Sequence, residues 1–230
     1  LIQGMKETND NIAHDLRSPI TLMRGIAEAA LMNNPASDSY HALAGDIIEQ
    51  CDGLLGMINT MLDISEAEAG VVRLVMEEID IVPIVQDAVG LFSPMAEDKH
   101  IDMKIEVPDH IRIYSDKRKI QRLLGNLLDN AIKFTPPDGT IAIYVCGNEK
   151  QVTIEIRDTG IGMSEEDRKR IFERFFRSDK SRSEPGSGLG LSLARAFAYS
   201  LGGSITATSV PGQGSTFMVN LPFGPESGVV

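Results

Sequence analysis

The sequence predicts a helical hairpin followed by an α/β layer, and three observations carry that expectation. Residues 2–30 hold a heptad pattern of apolar positions. Residues 39–68 hold a second helical pattern whose apolar face is too wide for one hairpin to cover. Beyond residue 78, alternating strand patterns interleave with amphipathic helical ones. The predicted fold class is α + α/β. An antiparallel two-helix hairpin forms a dimeric four-helix bundle, and an α/β sandwich follows with helices on one face of a mixed sheet. The expected domains are 1–68, a linker 69–78, 79–223 and a tail 224–230.

The first helix rests on the register Ile2, Met5, Asn9, Ile12, Leu16, Pro19, Met23, Ile26 and Ala30, in which Asn9 is the one polar position and Pro19 lies inside the pattern. The breaker cluster 33–39 ends it. Leu43, Ile47, Leu54, Met57, Met61 and Ile64 form one stripe of the second helix. Ala44, Ile48, Cys51, Leu55, Ile58 and Leu62 form another beside it. Two stripes need more cover than one partner helix gives, so the pattern implies a homodimer.

Further helices are expected at about 82–97, 116–133, 164–172 and 189–201, with Pro83 suited to a first turn where its missing N–H costs nothing. Ile141, Ile143 and Val145 alternate, as do Val152, Ile154 and Ile156, with 147–150 as the turn between them. A second pair, 204–210 and 215–221, flanks Pro211-Gly-Gln-Gly214. Shorter strands are expected at 102–107 and 111–114.

The 230 residues carry a formal net charge of −11, which argues against nucleic-acid binding, because phosphate neutralisation needs clustered Lys and Arg. Cys51 and Cys146 stand far apart with no Cys-x-x-Cys spacing and read as reduced core thiols of a cytosolic protein. No run of about eighteen apolar residues appears, so nothing reads as a bilayer span. The chain begins within a helical pattern and without Met, as an excised fragment would. The expectation is a cytoplasmic piece of a parent anchored in the membrane through its N-terminal portion.

Four segments carry the chemistry. On Asn126-Leu-Leu-Asp-Asn-Ala-Ile-Lys-Phe-Thr135, the residues Asn126, Asn130 and Lys133 share a helix face opposite Leu123, Leu124, Leu127, Leu128 and Ile132. Amide oxygens on such a face suit a hard Mg²⁺ ion. Asp158-Thr-Gly-Ile-Gly162 puts a carboxylate acceptor before two glycines that permit close backbone approach. Gly186-Ser-Gly-Leu-Gly-Leu191 opens a helix and follows a polar loop that reads as a lid. No Walker Gly-x-x-x-x-Gly-Lys-Ser/Thr occurs. Near the start, Ala13-His-Asp-Leu-Arg-Ser-Pro-Ile20 places His14 at an f position, away from the seam and one turn before a helix-bending proline.

Together these segments resemble sensor histidine kinases, over about residues 9–223. The helix and glycine segments are similar to the N, G1 and G2 boxes of the ATPase superfamily that also holds Hsp90, gyrase B and MutL. The resemblance implies a protein-histidine autokinase that phosphorylates His14 from ATP and relays the group to a response-regulator aspartate. It implies Asp15 as base and Ser18 as the residue orienting water in phosphatase chemistry, where the family more often has Thr or Asn. Asn130 is implied as the Mg²⁺ ligand with Asn126 assisting, and Lys133 as a phosphate contact. Phe134 stands where the family often has Tyr. Asp158 is the implied adenine reader, with Gly160, Gly162, Gly186, Gly188, Leu189 and Gly190 around the nucleotide. Thr216 in Gly212-Gln-Gly-Ser-Thr-Phe217 is implied to assist. Phe172-Glu-Arg-Phe-Phe-Arg177 matches an aromatic box whose Arg177 approaches the γ-phosphate. Two rivals stand beside this reading: a clamp ATPase of the same superfamily, which would lack the His14 hairpin, and a non-catalytic scaffold.

Overall fold

The computed structural model describes residues 20–30, 37–69, 73–178 and 186–224. His14, Asp15 and Ser18 lie outside the described residues, as do 179–185 of the expected lid and 225–230 of the expected tail. The chain divides into two compact units, 1–62 and 63–230.

In the first unit, helix α1 (20–30) and helix α2 (Ser37–Glu68, which runs on past residue 62) form the hairpin arms. They touch where the Cys51 thiol reaches Met23 Sδ at 3.3 Å. The two stripes of α2 have different fates. Leu43, Ile47, Leu54, Met57 and Met61 are half-buried, whereas Ala44, Ile48, Cys51, Leu55, Ile58 and Leu62 are all exposed. Cys51 is therefore exposed within the single chain, on the stripe that its apolar neighbours share. Cys146 is exposed as well, because it stands opposite Thr153 on the face of the sheet that the helices leave open.

The second unit is an α/β layer. A small antiparallel pair joins β1 (Glu77–Asp80) to β3 (Arg112–Ser115). The main sheet runs in the order β2 (Asp102–Glu106), β4 (Thr140–Gly147), β5 (Gln151–Asp158), β7 (Gly214–Pro222), β6 (Ser204–Val210). The β2–β4 pair is parallel and the others antiparallel, so the sheet is mixed. Along β5, Val152, Ile154 and Ile156 are buried while Gln151, Thr153, Glu155 and Arg157 are not, the period-2 signature of a sheet covered on one face.

The covering helices are α3 (Ile81–Asp98), α4 (Lys117–Phe134) and α6 (Gly190–Ser200), with α4 packed between the other two. A short α5 (Glu165–Arg170) lies beside β6. On α4 the buried positions Ile120, Leu123, Leu124, Leu127, Leu128, Ala131 and Ile132 follow helical spacing. Each buried Leu or Ile contributes about 1.5–3 kcal/mol, so this ridge fixes how the helix is turned about its axis. α3 starts under an Asp80 cap whose Oδ1 accepts from Val82 and Ile111 N–H, and Pro83 sits in its first turn. α4 starts under Asp116, whose Oδ1 accepts from Lys119 N–H and Oδ2 from Val75 N–H. β1 was not legible as a strand, because Glu77-Glu-Ile-Asp80 is short and mostly charged. The helix expected at 164–172 stops at Arg170, where the chain turns toward a left-handed Phe175.

The C-terminus of α4 is held by a side chain from outside it. Lys99 Nζ donates to the carbonyls of Ile132 at 2.9 Å, Lys133 at 3.1 Å and Thr135 at 3.3 Å. An ammonium has three protons, so it can serve all three of these otherwise orphaned groups. Lys99→Met is expected to lose about 1–3 kcal/mol of unfolding free energy, the cost of stranded polar groups and a lost charged donor. Urea melts of the two proteins measure it, and a change within error would show that water replaces the ammonium freely.

Candidate functional site

The buried ridge of α4 points its other face outward, and that face carries Asn126, Asn130 and Lys133, each half-buried. Asn126 Nδ2 donates to the Arg122 carbonyl at 2.7 Å, which leaves Oδ1 as the end directed away from the helix. That Oδ1 lies 3.0 Å from where a side chain on Gly190 would begin, so the start of α6 sits directly against it. One turn along α4, Lys133 Nζ lies 2.5 Å from the equivalent position of Gly186. Its ammonium also stands 5.3 Å from the centre of the half-buried Phe134 ring. The second glycine segment thus runs along the polar face of α4, where a side chain at Gly190 would crowd the Asn126 amide and one at Gly186 would push aside the end of Lys133. Asn130 makes no hydrogen bond among the described residues, so its amide remains available.

The first glycine segment is anchored at the C-terminal end of the same helix. Ile161 N–H donates to the Phe134 carbonyl at 3.1 Å, and Gly160 packs on that carbonyl. Gly162 has φ +61, and a Cβ there would fall 2.0 Å from the Val210 carbonyl oxygen. Only glycine satisfies both the left-handed backbone and that approach.

Asp158 ends β5 inside this loop and is 5% exposed. Its Oδ1 accepts from Gly160 N–H at 2.8 Å and from Ser215 N–H at 3.1 Å. Oδ2 takes no hydrogen bond from the described residues and is the free acceptor. Burial pushes the Asp158 carboxyl above its ordinary value, and the hydrogen bonds from Gly160 and Ser215 partly oppose that rise. Thr216 does not join it. In the strand ladder Thr216 stands opposite Arg157 while Ser215 stands opposite Asp158, so Thr216 falls on the other face of the sheet. The residue beside the carboxylate is Ser215. The sequence motif contains both, and only the register separates them.

The aromatic segment is divided in its roles. Phe175 is buried, with φ +60, and its N–H donates to the Gly188 carbonyl at 3.0 Å. Phe172 meets Phe217 edge-on with ring centres 6.5 Å apart. Arg170 lies over the Phe176 ring at 4.6 Å. Of these rings only Phe175 is buried in the core, Phe172 and Phe176 being half-buried, and Arg177 is half-buried on the run toward 179–185. Leu189 is buried and gives α6 its first residue boundary without a side-chain cap hydrogen bond. Among the described residues there is no cluster of three or more His, Cys, Asp or Glu that could hold a metal by itself. No described helix is long and apolar enough to cross a membrane.

Two family models match this chain. Residues 5–70 match the His Kinase A (phospho-acceptor) domain, and residues 115–225 match the histidine kinase-, DNA gyrase B- and HSP90-like ATPase. The chain is 33% identical over 215 residues to the sensor-like histidine kinase SenX3 of Mycobacterium tuberculosis, covering 92% of this chain and 52% of that protein. It thus spans about half the length of the relative it matches. Among solved structures, Acinetobacter baumannii histidine kinase AdeS superposes with a TM-score of 0.77 at 23% identity, covering 92% of this chain and 98% of that one. Histidine kinase ThkA, in complex with response regulator protein TrrA, superposes with a TM-score of 0.74 at 23% identity, covering 98% and 64%.

The Asp158 geometry sets a pH dependence. With its pKa raised in the fold above 3.8, the fold favours the protonated form. Its contribution to stability is complete below that ordinary value and is lost as pH rises through the raised one. Asp158→Asn keeps an oxygen for the two N–H donors and removes the buried charge. It is expected to be more stable than the parent at neutral pH, with the difference closing as pH falls into the acid range. Thermal melts across a pH series check this, and a constant offset at every pH would refute the burial argument.

Proposed function

The chain belongs to the sensor histidine kinases, and on that premise we propose that it is an ATP-dependent protein-histidine autokinase. In this reading the γ-phosphoryl group of ATP moves to His14 and then to an aspartate on the receiver domain of a response regulator. The observation that carries it is the seam along α4, where Asn126 and Lys133 meet Gly190 and Gly186 while the Phe134 carbonyl holds the loop after Asp158. One helix thereby gathers a metal-type amide face, a phosphate-type cation and a base-type acceptor.

Each residue has a role in this reading. Asp158 Oδ2 accepts from the adenine amino group, and Gly160 and Gly162 let the backbone close on the base. Lys133 and Arg177 neutralise phosphate charge. The N–H groups at the start of α6, near Gly188 and Leu189, lie where no side chain caps them and suit an anion. Phe134 supplies a ring without the hydroxyl common in the family. Thr216, on the far face, is replaced by Ser215 as the residue beside Asp158.

The donor set fits Mg²⁺ as a companion of the nucleotide. Asn130 has an unused amide, and Asn126 has its nitrogen committed to Arg122 and its oxygen turned outward. Two neutral hard oxygens leave most of an octahedral shell to phosphate and water, the usual arrangement for this ion. When bound, Mg²⁺ would neutralise charge on the phosphates.

At the other end, His14 is the acceptor, Asp15 its base, and Ser18 the residue that orients water for phosphatase chemistry. The domain plan follows: 1–68 for dimerisation and phospho-acceptance, 69–78 as connection, 79–223 for ATP, and 224–230 as tail. The exposed second stripe of α2 supports a homodimer, since Ile48 is 60% and Leu55 57% exposed in the single chain. The ThkA complex supports a receiver domain as partner, and the acidic net charge speaks against nucleic acid. In this reading the core works on the cytoplasmic side of a membrane-anchored parent, where ATP is supplied.

His14→Gln is expected to lose all label from γ-labelled ATP while keeping ATP affinity, and the label on the parent should be acid-labile and base-stable. Base-labile label, or full labelling of the variant, would reject His14 as acceptor. Asn130→Asp is expected to lower autophosphorylation at least about a hundredfold, as removal of a transition-state contact does, with an unchanged melting temperature. Sedimentation of the chain at micromolar concentration should give a dimer. A pair Ile48→Glu and Leu55→Glu should give monomers, and a monomeric parent would overturn the bundle.

A further inference from the structure

Ser209, near the end of β6, belongs to none of the segments that carry the site. Its Oγ has three neighbours. Met163 N–H donates to it at 2.8 Å, the Gly214 carbonyl oxygen lies at 2.8 Å, and Ser215 Oγ lies at 3.0 Å. A hydroxyl has one proton and two lone pairs. A carbonyl oxygen only accepts, so the Ser209 proton goes to Gly214. The Met163 N–H fills one lone pair. What remains on Ser209 is a single lone pair, so the hydroxyl of Ser215 must be the donor between the two serines.

This fixes the direction of a group beside the base-reading carboxylate. Ser215 stands opposite Asp158 in the ladder, and its N–H bonds Asp158 Oδ1. With its own proton committed to Ser209, Ser215 Oγ has only lone pairs left to offer. Asp158 Oδ1 already takes two N–H bonds, which leaves Oδ2 as its available acceptor. Both residues are buried, so water competes poorly for these groups.

We propose that Ser209 is a specificity-determining residue, acting by positioning: it turns the Ser215 hydroxyl so that Ser215 Oγ and Asp158 Oδ2 present acceptors only. Such a pair admits a purine carrying an amino group at its six position and repels one carrying a carbonyl there. Without Ser209 the Ser215 hydroxyl is free to rotate and offer its proton to that carbonyl. The proposal rests on the reading of this site as an adenine-nucleotide pocket.

The test is calorimetric titration of the folded chain with ADP and with IDP, whose bases differ at that edge. The quantity read is the ratio of the two dissociation constants. Ser209→Ala is expected to lower the ratio about tenfold, the size of one redirected hydrogen bond, and Ser209→Thr to restore it. A merely structural role for Ser209 would weaken both nucleotides alike, and an unchanged ratio overturns the proposal. Failure of the parent to bind ADP would reject the nucleotide reading itself, a distinct outcome. If Ser209→Ala does not fold, Ser215→Ala removes the same lone pairs and should lower the ratio too; an unchanged ratio there also overturns the proposal.

Discussion

A buried carboxylate holds the functional half of this molecule together. Asp158 Oδ1 takes N–H groups from Gly160, two residues on, and from Ser215, on the neighbouring strand. One oxygen therefore ties the glycine loop after β5 to the start of β7. Burial of the charge is unfavourable, and the raised pKa is the sign of it. The two backbone bonds offset part of that cost, and the loop geometry follows from them. Gly214 shows how tight the arrangement is, since a Cβ there would lie 1.9 Å from the Asp158 carbonyl oxygen. Moving the carboxylate would release the glycine loop, the turn before β7 and the free Oδ2 together.

The second constraint is that α4 serves the core and the site at once. Its leucine ridge sets rotation about the helix axis, and its C-terminal carbonyls, clamped by Lys99, set where the last turn ends. The Phe134 carbonyl can then receive Ile161 N–H, and Lys133 can reach Gly186. The first turn is fixed from the other side. Asp63 pairs with Arg122 and Lys119, and Lys119 and Arg122 also lie over the buried Phe197 ring. Arg122 is the residue whose carbonyl orients Asn126, so this packing reaches the proposed metal face through one backbone group. Precision at Asn126 thus rests on the hydrophobic burial of α4 together with ion pairs to the largely buried Asp63.

Periodic features were legible in the sequence, and features that depend on a distant partner were not. The α4 ridge, the β4–β5 and β6–β7 pairs and the two stripes of α2 all follow from spacing, because burial on one face leaves a regular trace. The hairpin and the mixed sheet were legible for the same reason, whereas the kinase resemblance came from the motif residues around His14, Asn130, Asp158 and Gly188 rather than from spacing. Lys99 left no trace, since nothing local marks a lysine as a cap for a helix more than thirty residues on. Thr216 and Ser215 are adjacent, and the motif alone could not say which faces Asp158; the register decides it. The cysteines misled because apolar neighbours in sequence do not guarantee cover: Cys51 lies on the stripe that one chain leaves open, and Cys146 lies on the open face of the sheet.

Phe175 shows how the fold carries strain where the site needs a particular shape. Its left-handed backbone costs about 1–3 kcal/mol for a residue of this kind. Burial of its ring returns about as much, and the bond to the Gly188 carbonyl adds to it. The balance is close, so the conformation depends on Gly188 remaining a glycine: a Cβ there would press on the Phe175 backbone at 2.9 Å. The aromatic segment and the second glycine segment therefore hold each other in place, back to back. The same glycine segment lies against Asn126 and Lys133 on its other side. A change in either partner is transmitted through two residues of backbone to the face that faces phosphate in the proposed reading. Phe175 thus matters to the site through the shape it imposes on Gly188, even though its ring belongs to the core.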